Sequence, residues 1–162
     1  MPRPRQRKLT NAIRRAEEDV ATILNEQDSD RYLEGIVLMN SLLENVLKWL
    51  VYVKILWERS DHFMRDREVD VMRQFCNQQD FYSMLNLALV TGLIDHKLFN
   101  RIDEIRRERN DMFHQYYLFT HRKNQRVLRS KLVKLVGVAE DLFVIFNALI
   151  QELGFDETLD VF

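Results

Sequence analysis

The segment Arg106-Arg107-Glu108-Arg109-Asn110-Asp111-Met112-Phe113-His114-Gln115-Tyr116-Tyr117 gathers arginine, asparagine, histidine and two tyrosines into about three helical turns. Histidine and arginine together suit phosphodiester chemistry. An imidazole with an ordinary pKa of ~6.5 takes or gives a proton near neutrality, so it can deprotonate an RNA 2′-hydroxyl. A guanidinium holds a phosphate with two parallel hydrogen bonds and offsets the charge that builds in the transition state. Such a mechanism requires neither metal nor cofactor. At about 100° per residue, Asn110 and His114 share a helical face, where the asparagine can fix the imidazole tautomer. Arg109 and Tyr116 share another face. Arg109 and His114 differ by about 140°, so they cooperate only through the length of arginine or through a second copy of the helix across a two-fold axis. On residue types alone, a histidine beside arginines on a helix is more often a surface or capping residue than a catalyst. His62, His96 and His121 have no comparable neighbours.

The elements that must position these residues read as helices. The chain has 162 residues, with only 4 glycines and 2 prolines, both prolines within the first four positions. So few turn residues argue against many short strands. Five or six helical segments follow. The first is expected from about Thr10, as N-cap, to Asn25, with Ile13, Val20, Ile23 and Leu24 on its apolar side. The second runs from Asp30 to about Ser60 and is apolar almost all round, as in the buried centre of a bundle. Its polar stripe, Asn40, Glu44 and Lys48 with Ser41 and Asn45 beside it, is either solvated around a Glu44–Lys48 pair or lines a groove. Residues 61–79 read as a loop with a short helix around Val69–Phe75. Phe81 to Val90 reads as a helix closed by Thr91-Gly92. Asp95 caps the next helix, which carries the arginine–histidine segment and ends near Phe119–His121. The last helix spans Asn124 to Leu153 and stops at Gly154. The expected architecture is all-α, a single helical bundle of about five helices. Residues 1–9 are expected to form a basic tail, 10–154 the helical domain and 155–162 an acidic tail.

The net charge is -1, so the molecule as a whole does not attract nucleic acid. Its distribution is uneven. Arg3, Arg5, Arg7, Lys8, Arg14 and Arg15 precede the first acid, Glu17, and read as a solvated tail or a phosphate-contacting arm. Cys76 is the only cysteine, which excludes an internal disulfide and fits a reducing compartment. One cysteine with four scattered histidines matches no metal-ligand spacing. The basic start has no apolar core behind it and is not a signal peptide. The most apolar stretch, Val46–Trp57, includes Lys48 and Lys54 and is too short and too charged to span a bilayer. A cytoplasmic protein without membrane association is expected. A helical nucleic-acid binder using Arg122, Lys123, Arg126, Arg129 and Lys131 is a weaker reading, because no helix-turn-helix signature is present.

The Arg109-Asn110-x-x-x-His114 pattern resembles the HEPN superfamily, whose mark is an arginine, usually a polar residue next, and a histidine four to six residues on, near the end of a bundle helix. The stretch LVTGLIDHKLFNRIDEIRRERNDMFHQY is similar to the short helix, turn and motif helix of HEPN-type chains, including relatives of the mannitol operon repressor. The long apolar helix with Glu44 corresponds to the earlier core helix, so the resemblance spans roughly residues 30–150. It implies a metal-independent endoribonuclease acting on RNA, with a composite site between the two subunits of a homodimer. Carried over residue by residue, Arg109 binds phosphate, Asn110 supports, and His114 is the acid/base. The extension His114-Gln115-Tyr116 resembles HEPN toxins paired with minimal nucleotidyltransferase antitoxins, which implies Tyr116 as the residue the partner adenylylates. The mannitol-repressor-like relatives usually carry Phe-Ala-His where this chain has Met112-Phe113-His114. The toxin of a toxin–antitoxin pair is therefore the first reading, and a non-catalytic HEPN regulator or scaffold binding a protein partner is the second.

Overall fold

The computed structural model describes residues 6–26, 31–58, 66–114 and 125–152. Among these residues there are helices and no strands: α1 (Gln6–Asn25), α2 (Tyr32–Glu58), α3 (Asp66–Gln78), α4 (Phe81–Val90), α5 (His96–His114) and α6 (Gln125–Glu152). The chain is thus an all-α bundle, with six helices in the described residues rather than about five.

Helix α2 is the axis. Apolar residues lie on most of its circumference, and Leu43, Val46, Leu47, Leu50 and Val51 are fully enclosed. This helix is long and apolar enough to cross a bilayer, which the twelve-residue stretch read from the sequence understates, and 67% of its apolar window is buried inside the bundle. Its most extensive neighbour is α6. Gly35 makes the approach close, because a Cβ there would stand 3.0 Å from Leu132 Cδ2. Further along, the rings of Trp49 and Phe146 meet at 4.6 Å between centroids. Gly35–Leu132 and Trp49–Phe146 rise together in number, so α2 and α6 run parallel. Between α5 and α6 the pairs are Arg101–Asp141 and Glu108–Lys131, so α5 runs antiparallel to both.

Helix α1 lays Ile13, Ala16, Val20 and Ile23 against α2, a stripe at helical period. It begins at Gln6, so Thr10 sits within the helix instead of capping it. The short helix expected around Val69–Phe75 is present and longer at both ends. A helix of 13 residues runs from Asp66 to Gln78 because Val69, Met72 and Cys76 recur on one face and pack on the core. Residues 59–65 lie outside the described residues, as do 1–5 and 153–162.

The turn into α5 is built from local chemistry. The Asp80 side chain accepts the Ser83 backbone N–H at 2.7 Å and caps α4. The helix ends with Leu93 N donating to Ala88 O and Gly92 N to Leu89 O, the double bond of a Schellman turn. Gly92 adopts φ 70°, where a side chain would be strained. The Asp95 carboxylate then accepts the Leu98 N–H at 2.7 Å, capping α5 as its sequence position predicts.

Candidate functional site between α2 and α5

The register of α5 decides where its charged residues fall. Leu98, Ile102, Ile105 and Met112 are buried and define the inner stripe. Their spacing leaves one vacancy in the series, and Arg109 fills it. The motif arginine thus occupies a core-facing position and is only 31% exposed at its side chain. A guanidinium there needs an acceptor on the facing helix. Glu44 supplies it: Arg109 Nη1 donates to Glu44 Oε2 at 3.2 Å. The other oxygen of that carboxylate is 3.0 Å from Lys48 Nζ, one turn along α2. One carboxylate therefore lies between two cations, and the three side chains carry one positive charge between them. Asn40, a turn before Glu44, is buried and donates through Nδ2 to Ile36 O at 2.9 Å. Of the polar stripe of α2, Glu44 meets α5 through Arg109 and also pairs with Lys48, while Asn40 bonds within its own helix and Ser41 and Asn45 are exposed.

Asn110 is exposed, about one residue step of 100° round the helix from Arg109. His114 is the last residue of α5, and its backbone register falls about 140° from Arg109. The His114 side chain lies outside the described residues. So do Tyr116, Arg122 and Lys123.

The opposite flank of α5 carries a second network that sequence reading missed. Glu108 receives Lys131 at 3.0 Å and Lys134 at 2.9 Å, and Lys134 also reaches Glu104 at 2.7 Å. Burial works against ionisation of Glu108, but hydrogen bonds from Lys134 and Lys131 outweigh it and hold its carboxyl below the usual range. Burial likewise opposes the charge on Lys134, yet its hydrogen bonds to Glu104 and Glu108 push its pKa up. The signal was present as acids four apart on one helix and lysines three apart on another, which becomes informative only once α5 and α6 are known to be antiparallel. Upstream, Asp103 is buried and accepts Arg106 and Arg107, each at 2.8 Å. Arg106 also lies 4.7 Å over the Tyr82 ring. Arg106 thus ties α5 to α4, Arg107 pairs within α5, and Arg109 meets α2.

Among the described residues, no group of three His, Cys, Asp or Glu side chains is placed to hold a metal ion. The Cys76 thiol is enclosed, and burial pushes its pKa up to about 11, so it is not a nucleophile at neutral pH. No protein-family model, curated protein or solved structure matches the chain.

Proposed function

We propose that the chain is a metal-independent endoribonuclease of the HEPN type, the toxin of a toxin–antitoxin pair, acting in the cytoplasm as a homodimer. The observation that supports it most is the sharing of the Glu44 carboxylate between Arg109 and Lys48. It holds the motif arginine in place at a half-buried seam, the preorganisation that phosphate recognition needs. Asn110 stands on the exposed side, and in this reading it orients His114. The 140° offset between Arg109 and His114 is bridged when a second subunit brings its own motif helix to the same cleft.

The test is cleavage of RNA by purified protein in excess EDTA. Full activity with the chelator, lost in both Arg109→Gln and His114→Ala, is the expected result. Cleavage that stops with EDTA, or that survives both substitutions, overturns the proposal. Sedimentation at micromolar concentration should give a dimer. The modification step is tested separately by intact mass after co-expression with a nucleotidyltransferase-type partner. An adenylate mass that disappears in Tyr116→Phe is expected.

The scaffold reading draws on the same ion pair, since an arginine bound across two helices also ties a bundle together. A scaffold without catalysis would show no cleavage in the native chain and would lose partner binding in Arg109→Gln.

A further inference from the structure

On the face away from α5, helices α1, α2 and α6 enclose a cleft of about 350 Å³. Val20, Ala21, Leu24, Met39, Val136 and Phe143 form its apolar lining, and Val20, Met39 and Phe143 are buried. Two carboxylates stand on it, Glu17 from α1 and Glu140 from α6. The Glu17 carboxyl is held above the usual range by burial and then by the charge of Glu140, so the two acids repel across the cleft. The neighbouring charges behave differently. Arg14 pairs with Glu18 on α1, and Asp141, next to Glu140, pairs with Arg101. Among the described residues, Glu17 and Glu140 form no ion pair.

We infer that this cleft is a binding site for a small organic cation with an apolar body, its ammonium or guanidinium lying between Glu17 and Glu140 and its hydrocarbon or ring against Met39, Val136 and Phe143. The volume lies in the range of small-molecule pockets, whose walls are mainly apolar with few polar groups setting orientation. Two carboxylates that repel each other are relieved by one cation, and Phe143 adds an aromatic wall against which a cation or a ring packs. A neutral ligand would leave the repulsion in place, and an anion would add to it.

The probe is 2-phenylethylammonium, titrated into the full chain and followed by calorimetry and by backbone amide shifts. Its neutral counterpart is 2-phenylethanol. Saturable one-to-one binding is expected, with shifts centred on α1, α2 and α6 around Glu17, Met39 and Glu140. Binding should exceed that of the alcohol by about tenfold or more, the worth of one charge-assisted hydrogen bond. Glu17→Gln combined with Glu140→Gln should bring the ammonium down to the affinity of the alcohol, with thermal stability kept or raised because the repulsion is gone. Ala21→Trp, which fills the cleft and keeps both carboxylates in the chain, should abolish binding of both. Equal affinity for amine and alcohol, undiminished binding by the double glutamine variant, shifts centred elsewhere, or no saturation at all would each overturn the inference. None of these results depends on whether the chain cleaves RNA.

Discussion

Helix α5 carries ion pairs on two flanks, and the two are built differently. Toward α6, Glu104 and Glu108 meet Lys131 and Lys134, two acids against two bases, a balanced set that closes on itself. Toward α2, one carboxylate, Glu44, serves both Lys48 and Arg109. The side chains of the first seam are 24–59% exposed, those of the second 15–31%. A balanced network in contact with water contributes little to stability and has nothing to offer an anion. A less exposed carboxylate shared between two cations holds an arginine in place where solvent screening is weaker. The number of ion pairs on a helix therefore does not single out one face; charge balance and burial distinguish the two.

The largest effect should come from the chemistry itself. Arg109→Gln and His114→Ala are each expected to lower RNA cleavage by ~10²–10⁴-fold, read as single-turnover rates on a defined RNA. Arg109 is not a bystander on a polar surface, so Arg109→Gln should also cost about 1–2 kcal/mol in urea unfolding, whereas Gln in place of Glu108 should leave cleavage unchanged. If replacing Glu108 lowered cleavage as strongly as replacing Arg109, the distinction between the two seams would fail.

A smaller loss is expected for Glu44→Gln. The amide still accepts a hydrogen bond from Arg109 but no longer fixes it by charge, and a guanidinium misplaced by about 1 Å costs on the order of 10²-fold. The fold should persist, with unaltered circular dichroism. Full activity in Glu44→Gln would show that the carboxylate is a structural tie only.

The smallest effect belongs to the α6 seam. The carboxyl of Glu108 is depressed in the folded state, so its contribution is present above the ordinary carboxylate range and is lost as pH falls through the depressed value. The melting difference between the native chain and Glu108→Gln should therefore be small at pH 7, worth less than about 1 kcal/mol, should begin to shrink near the ordinary glutamate value of ~4.3 and should vanish only below the depressed folded value. A difference that grew on acidification would mean that Glu108 is not held as an ion by Lys131 and Lys134.

Much of the architecture was legible in the chain, since helical period, caps and turn residues act over a few positions. The bounds of α4, its Thr91-Gly92 ending and the Asp95 cap of α5 follow from side chains within one turn of each other. The apolar circumference of α2 announced a central helix for the same reason. The extent of α3 was not legible. Its sequence is polar and its apolar residues few, so the helix exists because Val69, Met72 and Cys76 find the core and not because local propensity demands it. Thr10 failed as a cap because helix-competent residues precede it from Gln6.

The site divides in the same way. The sequence alone determined that Arg109, Asn110 and His114 lie on one helix at fixed angular offsets, and that Glu44 and Lys48 are one turn apart on another, because an α-helix fixes those relations whatever surrounds it. Tertiary structure alone decided which face of α5 meets α2, and thereby that Arg109 points inward to Glu44 while Glu108 takes up Lys131 and Lys134. The physical reason is that Leu98, Ile102, Ile105 and Met112 must be buried together. Once their stripe is turned to the core, the helix has a single rotation left, and the cross-helix partners Glu44 for Arg109 and Lys131 and Lys134 for Glu108 follow from it.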